Sequence, residues 1–264
     1  MRNYIVSCIL VSVSRSTTLH IDYQDTFLED NTPIDSIQYP DGSTFTITNN
    51  PRDERDEMIL AAIGHTDDIK KHWKHVSEKN NFHHTNLLSH LVAHPTRSEN
   101  ILFVIGNVSV VLHYSHLSSK EKYTLQKNLE QIMSQGFRVL GIGYKEQYHS
   151  EINHDDHHGL AWLGAIVMKL KMKKNIDAVS KKLLDEHIPL RIFSEDTLKT
   201  SQAILRKAGI QCGMDVCVRG ADLRSMPDSD VVSILSHTLL FSELNELDKN
   251  RLERLLETYG QHAR

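Results

Sequence analysis

Beyond residue 160 the hydrophobic pattern alternates short apolar runs with amphipathic stretches, and few folds accommodate that rhythm. Leu160 to Met168, Leu190 to Phe193, Cys212 to Val218 and Leu239 to Phe241 read as strands. Between and after them, Ile176 to His187, Thr197 to Ala208, Ser229 to His237 and Leu247 to Tyr259 read as helices, the second ended by Gly209. Strands separated by helices predict a parallel sheet with helices on both faces, because a parallel pair needs a long crossover. Leu252, Leu255 and Leu256 form a stripe for the core.

The first 159 residues follow another pattern. Met1 to Ser14 is apolar and β-branched, read as a buried strand with a signal peptide as the rival. Pro40-Asp41-Gly42 marks a turn before the β-branched run Thr44 to Thr48. Met58, Ile59, Ala62, Ile63, Ile69 and Trp73 recur at helical spacing. Ile101 to Val104 and Val108 to Leu112, split by Gly106-Asn107, predict a hairpin. Ser118 to Met133 predicts a helix capped by Gly136, and Phe137 to Tyr144 a further strand.

Composition narrows the function classes. Thirty Lys plus Arg against 34 Asp plus Glu give a net charge of −4, which argues against a nucleic-acid binder. No apolar run approaches the ~18 residues of a membrane span. Cys8, Cys212 and Cys217 are too few for a disulfide scaffold and lack zinc spacing. A reducing, cytoplasmic setting is the expectation.

Several ordered stretches resemble the cytoplasmic region of P-type cation-transporting ATPases. Residues 188–196, IPLRIFSED, resemble the family segment ending in TGD, and residues 197–210, TLKTSQAILRKAGI, the helix after it. Residues 218–223, VRGADL, and 241–249, FSELNELDK, resemble later turns of the same domain, the second resembling FaRxxPxxK. Upstream, ILFVIGNVSVVL at 101–112 resembles the strand carrying KGA, and GFRVL at 136–140 that domain's GxRVL. The resemblance implies a haloacid-dehalogenase-like phosphorylation domain formed by residues 1–20 and 160–264. An α+β nucleotide-binding-like domain, 21–159, would be inserted in it. It implies ATP or ADP as ligand at Arg138 and Gly106, and Asp196, Thr200 and Lys249 as candidate catalytic positions.

The departures from the family are chemical. Ser14 to Leu19 is the counterpart assigned to DKTGT, with no aspartate in the nucleophile's place, and Ile105 replaces the KGA lysine. TGD becomes Ser194-Glu195-Asp196, Leu170 to Lys173 replaces the DPPR-like stretch, and no GDGxND motif with its magnesium carboxylates occurs before Arg264. Core pattern kept and reactive groups lost point to a soluble pseudoenzyme that binds a nucleotide, a protein partner or both.

Two other functions stay open. A magnesium-dependent phosphatase or ATP hydrolase would use a relocated carboxylate, with Asp22, Asp25, Asp196 and Asp215 as candidates. A metal-binding protein would use the histidine-rich segment His149, His154, His157 and His158, beside Glu151, Asp155 and Asp156. His72, His75, His83 and His84 form a second group, the first two spaced for one helix face. The first group reads also as a solvated polar connection between domains, and the second as a polar helix face. Asp196 reads equally as part of a helix cap, Arg138 and Lys249 as surface cations, and Lys169 to Lys174 as a solvated loop.

Overall fold

The computed structural model describes residues 19–22, 28–29, 33–47, 51–63, 73–80, 87–187 and 190–259. The strand expected over Met1 to Ser14 lies outside them, as do Ser14 to Thr18, Asp25, His72, His83 and His84. The chain divides into two compact units: 1–32 with 133–136 and 170–264, and 33–132 with 137–169. Among the described residues no helix is long and apolar enough to cross a membrane.

The second unit is a seven-stranded sheet. Its strands are β2 (Ile34–Gln38), β3 (Thr44–Phe45), β4 (Lys74–Asn80), β5 (Leu88–Ala93), β6 (Asn100–Asn107), β7 (Phe137–Gln147) and β8 (Ala161–Lys169). They run in the order β3-β2-β8-β7-β6-β5-β4, every pair antiparallel. The domain boundary expected at residue 160 therefore moves to Lys169, since β8 pairs with both β7 and β2.

Alternation along β6 explains the two-sided core. Ile101, Phe103 and Ile105 pack with Met58 and Ile59 of α1 (Glu54–Ala62). The opposite face takes α2 (Val108–Tyr114), whose Val111 lies where a Cβ on Gly141 or Gly143 would crowd it. Two glycines in the middle of β7 therefore let that helix approach. Helix α3 (Ser119–Met133) follows, within one residue of expectation.

Two local expectations fail here. There is no hairpin at Gly106-Asn107, because the Asn107 side chain accepts from Ser109 N at 2.9 Å and caps α2. Trp73 does not continue the helical face of Met58, since α1 stops at Ala62 and Trp73 stands just before β4. It reaches the same core from a strand end, its ring 6.3 Å from that of Phe103.

The first unit holds a four-stranded sheet of β1 (Leu19–Asp22), β9 (Leu190–Phe193), β10 (Cys217–Arg219) and β11 (Leu240–Ser242). The order is β1-β9-β11-β10 and every pair is parallel. Its helices are α4 (Ile176–Asp185), α5 (Leu198–Lys207), α6 (Gly220–Ser225), α7 (Asp228–Ile234) and α8 (Glu246–Tyr259). Ile192, Ile204, Leu205 and Leu240 are fully buried in one cluster, and Phe241, Leu252 and Leu255 in another. The strand expected over Cys212 to Val218 shortens to Cys217–Arg219, because Met214–Val216 forms a 3-10 turn.

Candidate functional site

In an open parallel sheet, ligands bind at the carboxyl ends of the strands. At that edge β1 ends on Asp22, in register with Phe193 of β9. Among the described residues, the N-terminal segment that enters the sheet is Leu19–Asp22, and it closes on an aspartate. Ser194 follows Phe193 directly, its amide bonded to Phe241 O at 2.8 Å. The Ser194 hydroxyl accepts from Asp196 N at 3.1 Å and shares a proton with Ser201 Oγ at 2.8 Å. The turn after β9 is therefore internally bonded.

Asp196 is buried, but it does not cap α5. Thr197 does so, accepting from Thr200 N, and the Thr200 hydroxyl is held to Thr197 Oγ1 at 3.0 Å. Lys249, near the start of α8, donates to Glu195 Oε1 at 2.8 Å. The fold thus gathers the segments of Asp196, Thr200 and Lys249 at one edge of the sheet. Glu243, just past β11, adds a carboxylate 3.4 Å from Leu198 N at the start of α5. Burial pushes its pKa up, against the Leu198 amide and Arg219. Its left-handed backbone (φ 58°) sits against Gly220, where a Cβ would strike the Glu243 carbonyl. Sequence reasoning missed Glu243 and Glu195 because neither residue type is the family's at its place.

In the second unit, Arg138 is the second residue of β7, opposite Met168 of β8. Gly106 pairs with Gly141, so both candidate nucleotide residues lie at the same end of adjacent strands. Alternation puts Arg138 on the face of Leu140 and Ile142, and Gly106 on the opposite, α2-facing side. On that face Met168 stands directly opposite Arg138 and Leu140 lies two residues along β7, both half-buried against the core. This is an apolar ledge with a guanidinium at its edge.

A cavity of about 560 Å³ lies at the other end of that sheet, lined by Glu54, Arg97, Ile101, Tyr144 and Glu146 among others, and includes neither Arg138 nor Gly106. Arg97 is already bonded there to Glu54 at 2.9 Å and Glu146 at 3.4 Å. No sequence pattern announced it, since its walls come from distant segments.

The histidine-rich segment does not converge. His149 Nδ1 bonds Glu151 O at 2.7 Å, and its other nitrogen lies 3.4 Å from Asp156. His157 is buried, with Nε2 2.7 Å from Ser89 Oγ. His158 packs edge-on against Tyr114, and His154 opens a 3-10 turn. His75 sits on a strand, not the expected helix, with its ring 5.1 Å from that of His90. Among the described residues, no group of three or more His, Cys, Asp or Glu forms a cage for a metal ion.

No protein-family profile matches the chain. It is similar to a cation-transporting ATPase of Synechocystis, 26% identical over 156 residues, 58% of this chain and 17% of that protein. A calcium-transporting ATPase of Dictyostelium discoideum is 21% identical over 145 residues, 54% of this chain and 13% of its own. One from Listeria monocytogenes is 23% identical over 139 residues, 52% and 16%. The matched stretches thus span less than a fifth of these relatives, and they relate the chain to a region of cation-transporting ATPases.

Proposed function

We propose that this chain is a nucleotide-binding relative of the P-type ATPase cytoplasmic region that has lost phosphoryl transfer and acts by binding. Its second unit takes ATP or ADP at the Arg138 ledge, and its first unit is a haloacid-dehalogenase-like domain kept for its surface and a protein partner. The carrying observation is the ion pair between Lys249 and Glu195. By the resemblance, that lysine stands where the family places a cation beside the phosphorylated aspartate, and a glutamate in place of the TGD glycine now engages it. A carboxylate there also repels an incoming phosphate. At the ledge, the apolar faces of Leu140 and Met168 suit a flat base, and Arg138 suits a phosphate.

Magnesium is implied by the same resemblance. The described residues bring no three carboxylates together for it, so no step is derived through the ion. Calorimetry of the untagged protein with ATP and ADP, with and without magnesium, tests the reading. Binding tighter than about 1 mM, about 4 kcal/mol, and lost in Arg138→Ala, is expected. Absence of binding overturns it.

The position of Asp22 favours a second reading, a phosphohydrolase that uses that carboxylate as nucleophile. Turnover of p-nitrophenyl phosphate abolished in Asp22→Asn would replace the first reading by this one.

A further inference from the structure

The loop between α5 and β10 carries two thiols that neither reading uses. Gly209 ends the helix region with φ 81°, Cys212 follows, and Cys217 opens β10. The segment between folds through Gly213 into the 3-10 turn Met214–Val216, which brings Cys212 Sγ and Cys217 Sγ to 3.0 Å. Both cysteines are free and half-buried. Gln202 of α5 anchors the loop, donating from Nε2 to Cys212 O at 3.1 Å with Cys217 Sγ 3.8 Å away. Bond formation requires the sulfurs to close by about 1 Å, to about 2.05 Å, and a short glycine-containing loop absorbs that.

We propose that Cys212 and Cys217 are a site of reversible oxidation, forming an intrachain disulfide at the expense of a small disulfide such as oxidised glutathione. The Cys217 thiolate attacks one sulfur of the oxidant, breaks its S–S bond and releases one glutathione thiolate. Cys212 loses its proton to solvent and attacks Cys217 Sγ, expelling the second glutathione. Two protein thiols and one small disulfide become one protein disulfide and two small thiols, so electrons balance. The order follows from the pair. A hydrogen bond from Cys212, helped by Gln202, lowers the pKa of Cys217 against its burial and the Asp215 charge. The same contact, with burial, raises that of Cys212. Because Cys217 pairs with Leu240 of β11, the bond ties the loop to the sheet at the start of β10.

The test uses the full chain with Cys8→Ser, so that only these two thiols remain. It is equilibrated in a series of glutathione redox buffers, acid-quenched, alkylated and weighed by mass spectrometry. The expected result is one transition between a doubly alkylated form and an unalkylated form lighter by two hydrogens. With Cys212→Ser added, a glutathione adduct should accumulate on Cys217 at least about tenfold faster than on Cys212 in the Cys217→Ser chain. Independent alkylation of the two thiols, stable adducts on both, or cross-linking between chains overturns the proposal. The main readout leaves both cysteines in place, so it does not depend on whether the serine variants fold. It stands or falls separately from nucleotide binding.

Discussion

Lys249 Nζ meets Glu195 Oε1 at 2.8 Å, joining the first turn of α8 to the segment that follows β9. The lysine side chain is 17% exposed and the glutamate 45%, so the pair is half in water.

Glu195→Ala should therefore change stability by less than about 1 kcal/mol. It should also raise the affinity for inorganic phosphate, because a competing carboxylate is gone. Phosphate-dependent shifts of the melting temperature measure this. An unchanged shift would remove the ion pair as the reason for lost chemistry.

Asp56 is fully buried and accepts from Tyr39 OH and from Arg52 at 2.8 Å. Burial opposes its charge, but the hydrogen bonds from Arg52 and Tyr39 win and hold its carboxyl at about 2. An unfolded aspartate titrates near about 3.9, so this contribution is complete above that pH and is lost as pH falls through about 2. Asp56→Asn should flatten the acid limb of the stability curve. Tyr39→Phe should cost about 1–3 kcal/mol in urea unfolding, as a charged acceptor loses a donor.

His90 should make stability fall on the acidic side of neutrality. Burial lowers its pKa, and the neighbouring His75 ring at 5.1 Å adds to this, against the Ala62 carbonyl and Glu78. The unfolded chain then binds the proton more readily, so stability is full above about pH 6.5 and declines as pH drops below it. In His90→Gln the decline between about pH 7 and 5 should shrink. A profile identical to the parent would show that this ring carries none of it.

Gly220→Ala should destabilise the first unit by about 1–3 kcal/mol, since the added methyl meets the Glu243 carbonyl, a backbone atom held in a left-handed turn. Thermal melting of the variant checks this, and a parent-like melting temperature would mean that the turn moves aside freely.

The helices of the first unit were legible because their signals are local. Thr197 before a 3.6-period apolar face and Gly209 after it bound α5 without reference to anything distant. Leu190–Phe193 is likewise the strand expected from four consecutive residues with large apolar or aliphatic bodies. Arg138 could be named as a candidate from GFRVL, but its neighbour Met168 could not, since that residue comes from β8, a separate segment.

The local periodicities and caps of residues 176–259 were determined by the sequence itself, through side-chain spacing and the donors at helix starts. Pairing partners were decided only by tertiary structure. Gly106-Asn107 suits a hairpin as well as a cap; β6 already has β5 and β7 on its two sides, and Val108 to Leu112 finds instead the face that Gly141 and Gly143 leave open. Nothing in Leu19–Asp22 marks it as the partner of β9, more than 160 residues on, and nothing in two cysteines five apart says that a turn brings their sulfurs together. Those contacts depend on hydrogen bonds and packing with distant segments, which exist only once the chain has closed its loops.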